Sequence, residues 1–190
     1  MASSRLLLAL LASLSALSSA TPTSLPFPPP QKPVQTNKTC TVTPLGAGLD
    51  DAPQIERAFT ACSGGGTVVF PAGATFRIAT RLHATARDVA VEWHGTWLFS
   101  DDLAYWRANA FPVAFQNHRA GFVLSGERIH VDGHGTGGID GAGDAWYAAE
   151  RGETLPGRPM PFVVWNASDV TVERCTFSRV GTRVRQTKEG

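Results

Sequence analysis

The chain has 190 residues, 43% of them hydrophobic, which is enough for one domain with a substantial core. Seventeen Lys and Arg against sixteen Asp and Glu leave a formal charge of +1, so nothing in the balance points to a nucleic-acid or membrane-surface partner. Nineteen Gly and thirteen Pro favour strands and turns over helices.

Residues 1–20 read as a secretory signal peptide: Arg5 gives the positive start, Leu6 to Leu17 the apolar stretch, and Ser18-Ser19-Ala20 the small-residue cleavage site. Twelve or so apolar residues are too few to span a bilayer. The mature chain is therefore expected to be secreted, extracellular and soluble. Residues 21–38 hold six of the thirteen prolines and almost no core residues, so an extended, exposed linker is expected. Asn37-Lys-Thr and Asn166-Ala-Ser are N-glycosylation acceptors, the first in the linker and the second within the fold.

Residues 39–180 are expected to form the folded domain. Its only convincing helix lies within Gly46 to Cys62, over Pro53–Cys62. Asp50 or Asp51 can cap it, Gln54 sits at the capping-box position, and Ile55, Ala58, Phe59 and Cys62 make one apolar face. Short strands follow: Thr67-Val-Val-Phe, Thr75-Phe-Arg-Ile, Val89-Ala-Val, Thr96-Trp-Leu-Phe, Gly121-Phe-Val-Leu, Ile129-His-Val, Phe162-Val-Val-Trp and Val170-Thr-Val. A pattern recurs at Asp88, Arg128 and Asp169, forty and forty-one residues apart, and a repeated strand-and-corner unit implies a solenoid. Val89/Val91, Ile129/Val131 and Val170/Val172 would stack inward. Glu92, Asp132 and Glu173 would form an outward column, read as a solvated face with no catalytic role. Residues 101–118 and 145–161 should protrude as loops. The helix before the strands would cover the open end of the stack.

Three cysteines leave one unpaired. Cys40 and Cys62 flank the cap segment and are expected to form a disulfide, with Cys175 a thiol. His83, His94, His118, His130 and His134 show no metal-ligand spacing along the chain, so no metal and no cofactor are expected.

The chain resembles the N-terminal part of glycoside hydrolase family 28, the polygalacturonase group. The resemblance rests on Gly46-Ala-Gly-Leu-Asp-Asp-Ala-Pro-Gln-Ile, on Gly64-Gly-Gly-Thr-Val-Val-Phe-Pro-Ala-Gly, and on Gly137-Gly-Ile-Asp-Gly-Ala-Gly-Asp-Ala-Trp-Tyr. Tyr105-Trp106, Ala114-Phe-Gln-Asn and Gly157-Arg-Pro-Met-Pro-Phe are most similar to the exo-acting fungal branch. It covers roughly Cys40 to Val180.

The resemblance implies an all-β, right-handed parallel β-helix with an N-terminal capping helix, truncated at its C-terminal end. It also implies a secreted inverting hydrolase that releases terminal galacturonic acid from pectin, acting as a monomer on polygalacturonate or rhamnogalacturonan. The family's signatures (Asn-Thr-Asp, an Asp-Asp pair, Gly-His-Gly, Arg-Ile-Lys) would lie on later rungs, so no catalytic residue is carried over. Gly133-His-Gly, Asp50-Asp51 and Asp101-Asp102 have similar letters at other positions. Residues 181–190 depart from the pattern, and the chain alone is expected to be inactive. The alternatives are a rhamnogalacturonan α-L-rhamnosidase-type relative and a non-catalytic β-helix that binds pectic polysaccharide through Tyr105, Trp106, Trp146 and Tyr147. A pectate-lyase relative would need a calcium-binding carboxylate cluster with a basic Arg, which the sequence does not display.

Overall fold

The structure, a computed structural model, describes residues 29, 31–113, 118–151 and 157–180. The expected signal peptide, most of residues 21–30, the motif Ala114-Phe-Gln-Asn, residues 152–156 of the expected second loop and the 181–190 tail lie outside the described residues.

Among the described residues there are ten strands, and nine of them wind into a right-handed parallel β-helix. The larger sheet runs β1 (Thr39–Thr41), β2 (Thr67–Phe70), β4 (Leu82–Trp93), β7 (His118–Asp132), with β9 (Met160–Glu173) on the far side of β7. The smaller one runs β3 (Thr75–Ile78), β5 (Thr96–Phe99), β8 (Gly138–Asp140), β10 (Thr176–Ser178). All these pairs are parallel. The one exception is β6 (Phe111–Val113), which lies antiparallel against the start of β7.

The long strands bend at the repeated corner. Asp88, Arg128 and Asp169 each take left-handed backbone, at φ 51°, 50° and 52°. Such a residue reverses which face the alternating side chains occupy. In β4 the even positions Leu82, Ala84 and Ala86 are buried before Asp88, and the odd positions Val89, Val91 and Trp93 after it. One corner residue per rung thus keeps the apolar side inside as the chain turns.

Register carries the columns from rung to rung: Val68, Val91, Val131 and Val172 align, as do Val89, Ile129 and Val170. Val89, Val91, Ile129 and Val131 are buried, but Val170 is only half-buried and Val172 is 36% exposed. Both sit on β9, which has no further strand against it among the described residues. A second column is aromatic. Phe70, Trp97, Phe122 and Phe162 follow one another at 5.1, 5.1 and 4.8 Å between ring centroids. Burying each such ring is worth about 1.5–3 kcal/mol.

The N-terminal end is closed by α1 (Ala52–Cys62), whose Ile55, Phe59 and Cys62 are buried. Here the capping differs from the sequence expectation. Asp51 is the cap residue, yet its carboxylate accepts from the backbone N–H of Leu45 and Arg77, both at 2.8 Å. Gln54 donates its amide to that carboxylate and to the Thr43 carbonyl, so no capping box forms. Asp50 accepts from the N–H of Ala52 and Ala79. The acid pair welds the cap to the end of β3, which a short hydroxyl cap would not reach.

Cys40 and Cys62 form a disulfide that ties β1 to the end of α1, and Cys175 is a free thiol. Residues 31–38, at the end of the expected extended, exposed linker, run along the corners. Val34 N–H donates to Asp88, Gln31 N–H to Asp169, and Thr36 N–H to the Gly65 carbonyl. Their side chains remain mostly exposed.

The protruding segments contain two helices that the sequence reading did not contain, α2 (Leu103–Asn109) and α3 (Gly143–Glu150). Both are too short to show helical periodicity. Asp102 caps α2 by accepting from Tyr105 N–H at 2.9 Å.

Candidate functional site

The corner divides the outer surface into two faces. Before it, the first halves of β4, β7 and β9 form the floor of a cleft of about 500 Å3, walled by β6. His83 on β4 stands beside Ser125 on β7, with His83 Nε2 3.0 Å from Ser125 Oγ. Phe111 closes one side, edge-on to the His83 ring at 5.8 Å, and the Arg81 guanidinium lies 4.6 Å over the Phe111 ring. The other side is Trp165 and Asn166.

Local irregularity presents that side. On β9, Trp165 and Asn166 together oppose the single residue Ser125, which shifts the register, and Asn166 sits at φ 49°. Such a bulge re-aims side chains, and Asn tolerates the left-handed conformation better than most residues. Trp165 is 49% exposed. It was not among the aromatics singled out from sequence, because only the bulge turns it into the cleft. Of those that were, Trp106 and Trp146 are buried anchors, Trp106 donating its indole N–H to the Ser100 carbonyl at 2.9 Å. Tyr105 is half-buried, and its hydroxyl oxygen accepts from the Arg81 backbone N–H at 3.0 Å. Only Tyr147 is exposed, under the Arg158 guanidinium.

The lining fixes what the cleft can do. Aromatic faces and a few polar tips suit the apolar faces and hydroxyls of a sugar. Among the described residues no carboxylate lines it. Glu56 reaches His83 only at its backbone N–H, 2.7 Å away, so the His83–Ser125 pair has no orienting acid from that residue.

Beyond the corner, Glu92, Asp132 and Glu173 align by register as the sequence implied. They do not stand as three bare like charges. Glu92 meets His134 Nε2 at 2.6 Å, and Glu173 meets His130 Nε2 at 2.9 Å. Asp132 is 8% exposed rather than solvated, and holds the Arg174 guanidinium on both oxygens. Arg174 foremost, with help from the His134 N–H, keeps the Asp132 carboxyl below its usual range although burial opposes this. The same surroundings push the Cys175 thiol up to about 11, chiefly through burial, with the Asp132 charge adding to it.

Two groups here could hold a cation, Glu92/His94/His134 and His130/Asp132/Glu173, each with ligand atoms within 4.8 Å of one another. Linear spacing hid both, because their members come from different rungs. Asp140 and Asp144 face elsewhere and share Arg179. They do not join Asp132 around His134.

The crystal structure of an endo-xylogalacturonan hydrolase from Aspergillus tubingensis matches with a TM-score of 0.62 and 25% identity, over 73% of this chain and 36% of that one. In sequence, a galacturan 1,4-alpha-galacturonidase C of Aspergillus niger is 58% identical over 134 residues, covering 70% of this chain and 32% of its own length. A galacturan 1,4-alpha-galacturonidase C of Neosartorya fischeri is 50% identical over 137 residues, 72% of this chain and 30% of its own. An exopolygalacturonase of Cochliobolus carbonum is 39% identical over 142 residues, 74% of this chain and 31% of its own. The chain is thus related to polygalacturonase-type hydrolases, and it spans about a third of the curated relatives it matches. No family model matches it.

Proposed function

We propose that this chain belongs to glycoside hydrolase family 28 and serves exo-type cleavage of pectin, the release of terminal α-linked galacturonic acid. The observation that carries the reading is the 58% identity over 134 residues to a protein named as a galacturonidase. In this reading the cleft over His83, Ser125 and Trp165 holds pectic polysaccharide, with Trp165 under a sugar face. The chemistry itself would need a general acid and a water-activating base on neighbouring rungs. None of the described residues is assigned either role. The 190-residue chain alone would therefore bind without cleaving.

The aromatic walls of the cleft, Phe111 and Trp165, also suit a second reading for this chain, a non-catalytic β-helix that binds pectic polysaccharide. Two substrates separate the sugar classes: a rhamnosidase-type relative would prefer rhamnogalacturonan fragments to galacturonate oligomers. Among the described residues no helix is long and apolar enough to cross a membrane. Secretion, directed by residues 1–20, is part of the proposal, as is glycosylation of Asn37 and Asn166. Asn37 is exposed, whereas a glycan on Asn166 would stand in the cleft mouth. Titration with galacturonate oligomers tests the reading: saturable binding that Trp165→Ala weakens supports it, and equal binding by both proteins removes the cleft from it.

A further inference from the structure

The face beyond the corner carries the observation that the pectin reading does not use. His94 follows β4 and His134 follows β7, forty residues apart in sequence but on adjacent rungs. Their imidazole rings stack with centroids 4.1 Å apart and planes 14° from parallel. Glu92 on the same rung as His94 places Oε2 2.6 Å from His134 Nε2. One ligand atom from each of the three lies within 4.8 Å of the other two. The side chains are part-buried, 29% exposed for His134 and 41% for Glu92, so an ion could enter from solvent.

His134 is held where it is needed. Its backbone N–H donates to Asp132 Oδ1 at 2.9 Å, and its left-handed backbone (φ 51°) turns the ring over the preceding rung. Gly133 cannot be larger, since a Cβ there would lie 2.5 Å from the Arg174 carbonyl oxygen. Asp132 Oδ2 stands 3.8 Å from His134 Nε2 and adds negative charge beside the group.

We propose that Glu92, His94 and His134 bind one divalent transition-metal ion of the zinc or copper class. Two imidazoles and a carboxylate are the donors that such ions prefer, whereas calcium and magnesium select all-oxygen shells. On binding, the ion replaces the proton shared between His134 Nε2 and Glu92 Oε2, that proton leaves to solvent, and the His94 ring turns out of the stack so that both in-plane lone pairs meet the ion. Metal–nitrogen and metal–oxygen bonds of about 2.0–2.2 Å require the 2.6 Å contact to open to roughly 3.3 Å. The neighbouring group His130/Asp132/Glu173 is the poorer candidate, because Asp132 already holds the Arg174 guanidinium. An ion at the first group joins the β4 and β7 rungs and acts as a cross-rung clamp.

The test uses the tag-free chain, titrated calorimetrically with zinc chloride and, separately, with copper sulfate under paramagnetic resonance. The expected result is one ion per chain, with copper coupled to two nitrogens. His94→Ala and Glu92→Gln should each weaken zinc by at least about tenfold. His130→Ala and a tenfold excess of calcium should leave it unchanged. In the parent chain, zinc should shield His94 and His134, but not His130, from diethylpyrocarbonate, a readout that needs no variant to fold. No saturable uptake at millimolar zinc, a single coupled nitrogen, or equal loss in His130→Ala would overturn the assignment. None of these results bears on pectin binding.

Discussion

Arg128 donates from Nε and Nη2 to the two oxygens of Asp88, at 2.6 and 2.8 Å, and both residues occupy the left-handed corner of consecutive rungs. The guanidinium, more than the Val34 N–H that also reaches Asp88, holds the Asp88 carboxyl down from 3.8 to about 2, against the effect of burial. A carboxyl depressed on folding contributes stability that is full above its unfolded value and is lost as pH falls through the folded one. Between about pH 4 and pH 2 the parent chain should therefore lose stability that Asp88→Asn has already lost. Urea midpoints at pH 5, 3 and 2 check this: the gap between the two proteins should narrow toward pH 2, and a constant gap contradicts it.

The disulfide should matter as much as a sizeable core contact. Cys40 and Cys62 are 22 residues apart, and closing a loop of that length is worth about 3 kcal/mol in the chain-entropy model. The Cys40→Ala variant is expected to lose about that amount in urea unfolding. Alkylation at neutral pH should label Cys175 slowly, since its thiol is held near 11.

Glycines separate close approach from open turns. A methyl group at Gly126 would overlap the backbone carbonyl of Ala86 on the rung beneath, and the φ of 121° adds strain. At Gly135 nothing lies within 4 Å, leaving only the left-handed backbone. Gly126→Ala should cost several kcal/mol, enough to impair folding, and Gly135→Ala about 1 kcal/mol. Equal thermal midpoints for the two variants would refute the contact.

Trp165 tests the cleft. Its half-exposed ring stands on the bulge opposite Ser125. Trp165→Ala should weaken binding of galacturonate oligomers about tenfold, or about 1.4 kcal/mol. It should lower the thermal midpoint far less than loss of a buried ring such as Trp97 would, because about half of Trp165 is exposed. The tryptophan fluorescence change on titration should be present in the parent chain and lost in Trp165→Ala, since the other four tryptophans are buried.

Much of this fold was legible in the sequence, because one rung repeats another. The period that joins Asp88, Arg128 and Asp169 places the corners, and β-branched residues on either side place the inner columns. What could not be read depends on contacts between rungs. Arg128 meeting Asp88, Arg174 meeting Asp132 and His94 stacking on His134 link residues about forty apart, and no linear spacing rule reports them. Hence the acid column looked like a solvated row of like charges, although each member has a basic partner. The bulge at Trp165 and Asn166 was equally hidden. One extra residue in a strand changes no composition and no periodicity that a short window can detect.

The most direct test of the account is the reaction itself. The purified 190-residue chain should be incubated with polygalacturonate and with rhamnogalacturonan, with binding and reducing sugar followed in parallel. The account predicts saturable binding of galacturonate oligomers, weakened by Trp165→Ala, and no release of reducing sugar from either polymer. Release that disappears on Asp140→Ala would contradict it, because that carboxylate is engaged by Arg179 and is given no catalytic part.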